Sequence, residues 1–374
     1  MTVFYFGADA SWEEIQNTGF TRRNTCILQA LSQNNKIEKI FVVQKIARGK
    51  FLRSLISNSK KQTGKVHDIN YASLFPEKLL QKIGLDFLNK KINSFFIRRR
   101  TKSYNSSDLI WCYWPKGYLA AKDSGLKGKI IFDADHNIID DPNVAEENKI
   151  ARTKLLIEIG KKATYILSST FSMINWFQQK GFNNCVRLRN GVFVDRFKTT
   201  DTKSSEKKFT IGYCGTLSKW IDYDLFEALI KRNGSWNFII IGSPYLTNEW
   251  EKLQQYPNVE MLGRKTADEV AHLIPTFDVA INLYHFHPAL DVDSMKLYEY
   301  IAAGVPVVST PFHEHLSQDF DDLLSIGKNI SEIENIIHNI QLNGPNNTSS
   351  ERRNSFLKTS SWNNRVNTFI DGIK

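Results

Sequence analysis

Lys296 and Glu299 stand three residues apart in Ser294-Met295-Lys296-Leu297-Tyr298-Glu299-Tyr300, and Asp291 precedes Glu299 by eight positions. Ser294 is placed to cap a helix running from Met295 to Ala303 and ended by Gly304. Lys296 then falls in the first turn, with Glu299 on the same face. Backbone N–H groups at a helix start and a nearby ammonium converge on one point, which suits a diphosphate. A carboxylate one turn further in is placed to accept hydrogen bonds from vicinal hydroxyls such as those of a ribose. The stretch implies a grip on a sugar nucleotide. The competing reading is an ordinary amphipathic helix carrying a Lys296–Glu299 surface pair.

A second group of chemical side chains, Asp133, Asp135 and His136, directly follows the apolar run Lys129–Phe132. If that run is a parallel strand, these residues lie at its carboxyl end, where open α/β sheets bind ligands. Acid–base work or contact with sugar hydroxyls would use them, and turn capping is the alternative. Asp133-x-Asp135 and Asp291-x-Asp293 also have the form of a metal-binding pair, but such pairs arise easily, and no metal is expected. His285 and His287 are two apart, with no third ligand in view, and are read as loop histidines.

The elements that must position these groups alternate strand and helix. Val3–Phe6 is read as a first strand, followed by a polar loop through Gly19 and a helix from about Thr21 to Gln33. Lys39–Val43, Asp108–Tyr113, Lys129–Phe132 and Thr164–Ser169 continue the strand series. A second series opens at Phe209–Leu217 and runs through Phe238–Ile241, Phe277–Leu283 and Pro306–Ser309, with a helix from about Tyr223 and a closing helix over Trp362–Ile373. Two Rossmann-like parallel sheets follow from this alternation. The dinucleotide fingerprint Gly-x-Gly-x-x-Gly and the phosphate loop Gly-x4-Gly-Lys-Ser/Thr are both absent, which argues against a dinucleotide oxidoreductase and a P-loop NTPase.

Lys296-Leu297-Tyr298-Glu299-Tyr300 followed by Ala302-Ala303-Gly304-Val305-Pro306-Val307-Val308 resembles the donor signature of GT-B glycosyltransferases of family 4. Asn190-Gly191-Val192 with Phe197 resembles the segment that closes their first domain. The resemblance implies two Rossmann-like domains facing a central cleft. Residues 1–195 would form the acceptor domain, 196–208 a linker and 209–374 the donor domain, with the last helix packing back on the first domain. Glu299 would contact the donor ribose, and Asp291 would fill the first place of a Glu-x7-Glu pair. Gly215, Met295 and Leu297 would also meet the donor. One departure stands out. The loop Gly215–Asp222 lacks the usual arginine, leaving Lys219, with Lys296 and Arg264, to neutralise the diphosphate.

The activity so implied is hexosyl transfer from a nucleotide-diphosphate sugar to a lipid-linked saccharide acceptor in cell-surface polysaccharide synthesis. No cofactor beyond the donor is expected. Asp133, Asp135 and His136 are the catalytic candidates. Retention of configuration is favoured, although Ser294-Met295-Lys296 also resembles inverting exopolysaccharide transferases. A sugar-nucleotide epimerase and a non-catalytic sugar-nucleotide binding protein remain the alternatives.

Bulk properties fit this reading. The 374 residues exceed a single core and suit two domains. Four scattered cysteines indicate neither a zinc site nor a disulfide framework. No apolar run is long enough to span a bilayer. Residues 1–190 carry a net charge of +15 and the remainder −5. Within 45–102, Lys and Arg interleave with Phe, Leu and Ile, as on helices that lie against anionic headgroups. A solvated helix face is the alternative reading. No nucleic-acid motif is present. The expected location is cytoplasmic, peripheral on the inner face of the cell membrane.

Overall fold

In the computed structural model, residues 1–49, 51, 64–85, 87–101, 108–136, 138–139, 146–197, 208–286, 291–344 and 350–373 are described. The predicted linker positions 198–207, Asn137, His287 and much of the basic stretch 50–63 lie outside them. The chain divides into two compact units, Met1–Arg189 with Val366–Lys374, and Asn190–Arg365.

The first unit is built on β1 (Thr2–Phe6), β2 (Lys39–Lys45), β3 (Val66–Tyr71), β4 (Leu109–Tyr113), β5 (Lys129–Asp133), β6 (Tyr165–Ser168) and β7 (Cys185–Arg187). They pair in parallel in the order β3-β2-β1-β4-β5-β6-β7. Buried runs such as Val3–Phe6 and Leu109–Cys112 suit strands covered on both faces. Register aligns Phe6 with Val43 and Cys112, and Tyr113 with Asp133, so Gly7, Gln44, Tyr113 and Asp133 share the carboxyl edge. The order reverses between β1 and β4, and a crevice opens at such a switch point.

In the second unit β8 (Thr210–Cys214), β10 (Asn237–Ile241), β12 (Val259–Gly263), β13 (Val279–Asn282), β14 (Val307–Ser309) and β15 (Ser325–Ile326) form a parallel sheet ordered β12-β10-β8-β13-β14-β15. Short strands β9 (Leu217–Ser218) and β11 (Pro244–Tyr245) pair beyond its carboxyl edge. The two parallel α/β units agree with the fold read from the sequence. The 12–18 stretch does not: Trp12–Thr18 is a helix, because Ser11 and Glu14 form a capping box that the loop reading overlooked.

Candidate active site

The Met295–Ala302 helix joins β13 to β14 and buries Leu297, Tyr298, Tyr300 and Ile301 in the core of the second unit. That burial fixes its rotation, which leaves Lys296 and Glu299 part-exposed on the opposite side. Ser294 occupies the N-cap position without a side-chain cap bond. Leu297 is fully buried, so its side chain serves the core and only its backbone N–H faces the helix start. Met295 is part-exposed in the first turn.

Lys296 is clasped by two aromatic rings. Its ammonium lies 5.1 Å from the Tyr213 ring centre and 4.3 Å from that of Tyr284, and it donates to the Tyr284 hydroxyl. The floor beneath it is glycine. A Cβ on Gly215 would come within 2.7 Å of Lys296 Cε, and one on Gly242 would fall 1.9 Å from the Gly215 carbonyl oxygen. The ends of β8 and β10 therefore approach each other and Lys296 more closely than any side chain would permit. Tyr300 completes the frame: its hydroxyl accepts from the Cys214 N–H at 2.7 Å and donates to the Cys214 carbonyl at 3.2 Å. Burial pushes the Glu299 carboxyl up to about 7, against the pull of Arg196 and Lys296.

The other sequence candidates are distributed around this frame. Lys219 is exposed and stacks on Trp220, its ammonium 5.2 Å from the ring centre. Arg264 is exposed just past the edge strand β12, two strands from β8 or about 10 Å in sheet spacing. Asp291 is part-exposed ahead of the helix and acts electrostatically on His313. Asp293 is committed elsewhere. Its carboxylate accepts from the Asn190 N–H at 2.5 Å and the Tyr298 hydroxyl at 2.7 Å, and its carbonyl accepts from the Asn190 side chain at 2.5 Å. The Asn190-Gly191 segment and the start of the signature are thereby tied together.

In the first unit Asp133, Asp135 and His136 do converge. Asp133 is fully buried and receives two hydrogen bonds from Arg23 Nε, at 3.1 and 3.2 Å. Burial alone would lower the Arg23 pKa, but Asp133 and Asp135 hold it raised, so the guanidinium stays charged. Asp135 accepts from the Tyr113 hydroxyl at 2.8 Å and lies 3.2 Å from His136 Nδ1. Burial would raise its pKa, yet His136, Arg23 and Tyr113 together hold it down to about 2. Its backbone is in the left-handed region, φ 62°, with its carbonyl held by the Ser168 and Ser169 hydroxyls at 2.7 and 2.8 Å. Trp114 shares that rare conformation and meets the His136 ring edge-on at 5.3 Å. Strain of this kind gathers at functional sites.

Residue types alone did not single out Arg23, Tyr113, Arg196, Tyr213 or Tyr284. Arg23, Arg196 and Tyr213 reach their sites from distant parts of the chain, while Tyr113 and Tyr284 arrive from preceding strand ends 22 and 12 residues away. Arg22-Arg23-Asn24 at a helix start was the one visible hint.

A glycosyl transferase-like family model matches residues 223–371, which include the whole Lys296–Glu299 region. The putative teichuronic acid biosynthesis glycosyltransferase TuaH of Bacillus subtilis is 29% identical over 133 residues. That match spans about a third of this chain and of TuaH (33% of each). Among solved structures, HepE of Anabaena in complex with UDP and glucose superposes with a TM-score of 0.69 at 14% identity, over 100% of this chain and 99% of that one. The chain has the GT-B fold. A UDP-forming trehalose-phosphate synthase from Burkholderia vietnamiensis gives a TM-score of 0.66 at 11% identity, over 99% and 97% of the two chains. The resemblance to GT-B glycosyltransferases read from the sequence is thus borne out.

Proposed function

We propose that this chain is a glycosyltransferase that moves a hexosyl group from a UDP-sugar to a saccharide acceptor. The observation that carries the proposal is the frame in the second unit, where Gly215 and Gly242 clear space beneath Lys296 at a helix start and Glu299 stands one turn on. A diphosphate bound there meets an ammonium and the N-terminal end of a helix. When the bond from the sugar's anomeric carbon to phosphate oxygen breaks, the departing UDP takes the electron pair, and these groups offset the charge. Lys219 and Arg264 add positive potential, and Asp291 contacts the sugar. Glu299 receives the ribose hydroxyls. UDP is favoured as the nucleotide because HepE was solved with UDP and the trehalose-phosphate synthase is UDP-forming.

In the first unit, Asp135 is too acidic to serve well as a general base, and Asp133 is committed to Arg23. An inverting displacement based on either is disfavoured, which supports the retaining reading. Asp135 instead orients His136, which contacts a sugar hydroxyl. A membrane-borne acceptor is supported by the exposed side chains Phe75, Leu79, Ile83, Phe87 and Phe95, interspersed with Lys82, Lys91 and Arg99. TuaH supports a role in cell-surface polysaccharide synthesis.

The direct test is incubation of the purified chain with a panel of UDP-hexoses, following UDP release and recovering the sugar. Slow UDP release with one hexose, abolished in Lys296→Ala, is expected. Return of an intact UDP-sugar of altered configuration, or no turnover and no binding of any donor, would sink the reading.

A further inference from the structure

A cavity of about 750 Å³ opens at the carboxyl edge of the first unit, over the reversal between β1 and β4, where Gly7, Gln44 and Tyr113 form part of its lining. Its size suits a mono- or disaccharide. Its charge does not suit a neutral one. Among the described residues, Arg22, Lys45, Lys90 and Lys116 line it with two carboxylates, Asp9 and Asp123. Those carboxylates do not neutralise it: Asp9 stands 3.5 Å from Arg22 and Asp123 3.9 Å from Lys90. Both pairs are solvent-exposed and correspondingly weak. The lining also offers groups that read hydroxyls. Asn93 has its side-chain oxygen buried without a partner among the described residues, and Gln44, nine-tenths buried, lines the same cavity.

We infer that this cavity binds the acceptor through an anionic group, a phosphate or a sugar carboxylate, held by Arg22 and Lys116, with Asn93 and Gln44 meeting the hydroxyls. The inference rests on the glycosyltransferase reading for the word acceptor, while the anion site itself stands on the cavity alone. Arginine pairs with both kinds of oxyanion through two parallel hydrogen bonds, so carboxylate and phosphate share this chemistry. A positive cavity over a reversal in strand order also attracts the anion before contact.

The test is calorimetric titration of the full chain with glucose, glucuronic acid and glucose 6-phosphate, in wild type, in the double variant Arg22→Ala/Lys116→Ala and in Lys296→Ala. At least one charged sugar is expected to bind about tenfold more tightly than glucose, an advantage lost in the double variant and kept in Lys296→Ala. Tighter binding of glucose 6-phosphate marks a phosphorylated acceptor, and tighter binding of glucuronic acid a uronic acid. Both outcomes support the inference. Equal binding of all three sugars, absence of anion binding, or a loss confined to Lys296→Ala would overturn it. Arg22 and Lys116 are exposed, so their replacement should leave the fold intact, which retained UDP binding would verify. UDP titration of the same samples separates the two readings. If UDP fails to bind anywhere while the Arg22/Lys116-dependent anion binding persists, the donor reading has failed and the anion site has not.

Discussion

Glu299 makes the donor site sensitive to pH in a defined direction. Its folded pKa is raised to about 7, so below neutrality the carboxyl holds a proton that the unfolded chain would release near its usual value. Two ribose hydroxyls donating to this group favour the ionised form, so nucleotide binding expels the proton. UDP affinity should therefore fall as pH drops below about 7, by up to about tenfold per unit, and Glu299→Gln should flatten the profile. Linkage runs the other way for the fold itself: this group's contribution is present below the unfolded pKa and is lost as pH rises through 7. Calorimetry between pH 5.5 and 8.5 reads the binding term. The glycine floor gives a second prediction. Gly215→Ala should push the flexible Lys296 stem aside and weaken UDP at least about tenfold, and it should cost about 1–3 kcal/mol of stability because a φ of 158° strains a residue with a Cβ. Gly242→Ala meets backbone instead, and should cost about 1–3 kcal/mol in urea unfolding. Lys296 and Glu299 were legible because one helical turn holds both. The rings of Tyr213 and Tyr284 that grip the ammonium were not, because only the closing of the sheet brings them near.

Between elements, two buried polar joints carry more than their residue types suggest. Arg23, at the start of the Arg23–Gln33 helix, fastens that helix to the end of β5 through Asp133. Arg23→Met would strand a carboxylate in a fully buried place. It should destabilise the chain by about 3–5 kcal/mol, whereas replacing Arg23 and Asp133 together by apolar residues should recover much of the loss. A double-mutant cycle by urea denaturation decides this. In the second unit, Asn190 and Asp293 make the corresponding joint. Both segments stand out in the sequence but the contact between them does not, since a turn asparagine and a loop aspartate are ordinary where they stand. The strand series was legible from apolar runs of the kind that parallel sheets bury. β3 was not, because only Val66 and Ile69 of Val66–Tyr71 are buried and the strand sits at the sheet edge.

For the molecule as a whole, the net positive charge and the exposed apolar side chains of the first unit make one prediction. The chain should sediment with vesicles containing anionic lipid and not with neutral ones, and binding should weaken as salt rises. Phe87→Ser/Phe95→Ser should reduce it without changing UDP affinity. Co-sedimentation equal on neutral vesicles, or unaffected by the double variant, would contradict a docking face there. Among the described residues no helix is long and apolar enough to cross a membrane. In the proposed function the frame around Lys296 and Glu299 holds the diphosphate and ribose of a UDP-sugar. Calorimetric titration of UDP into wild type, Lys296→Ala and Glu299→Gln at pH 8 tests it most directly. One UDP per chain is expected, with binding at least about tenfold weaker in each variant and unfolding midpoints near that of wild type. Equal affinity in all three proteins, or no UDP binding by the wild type, would contradict it.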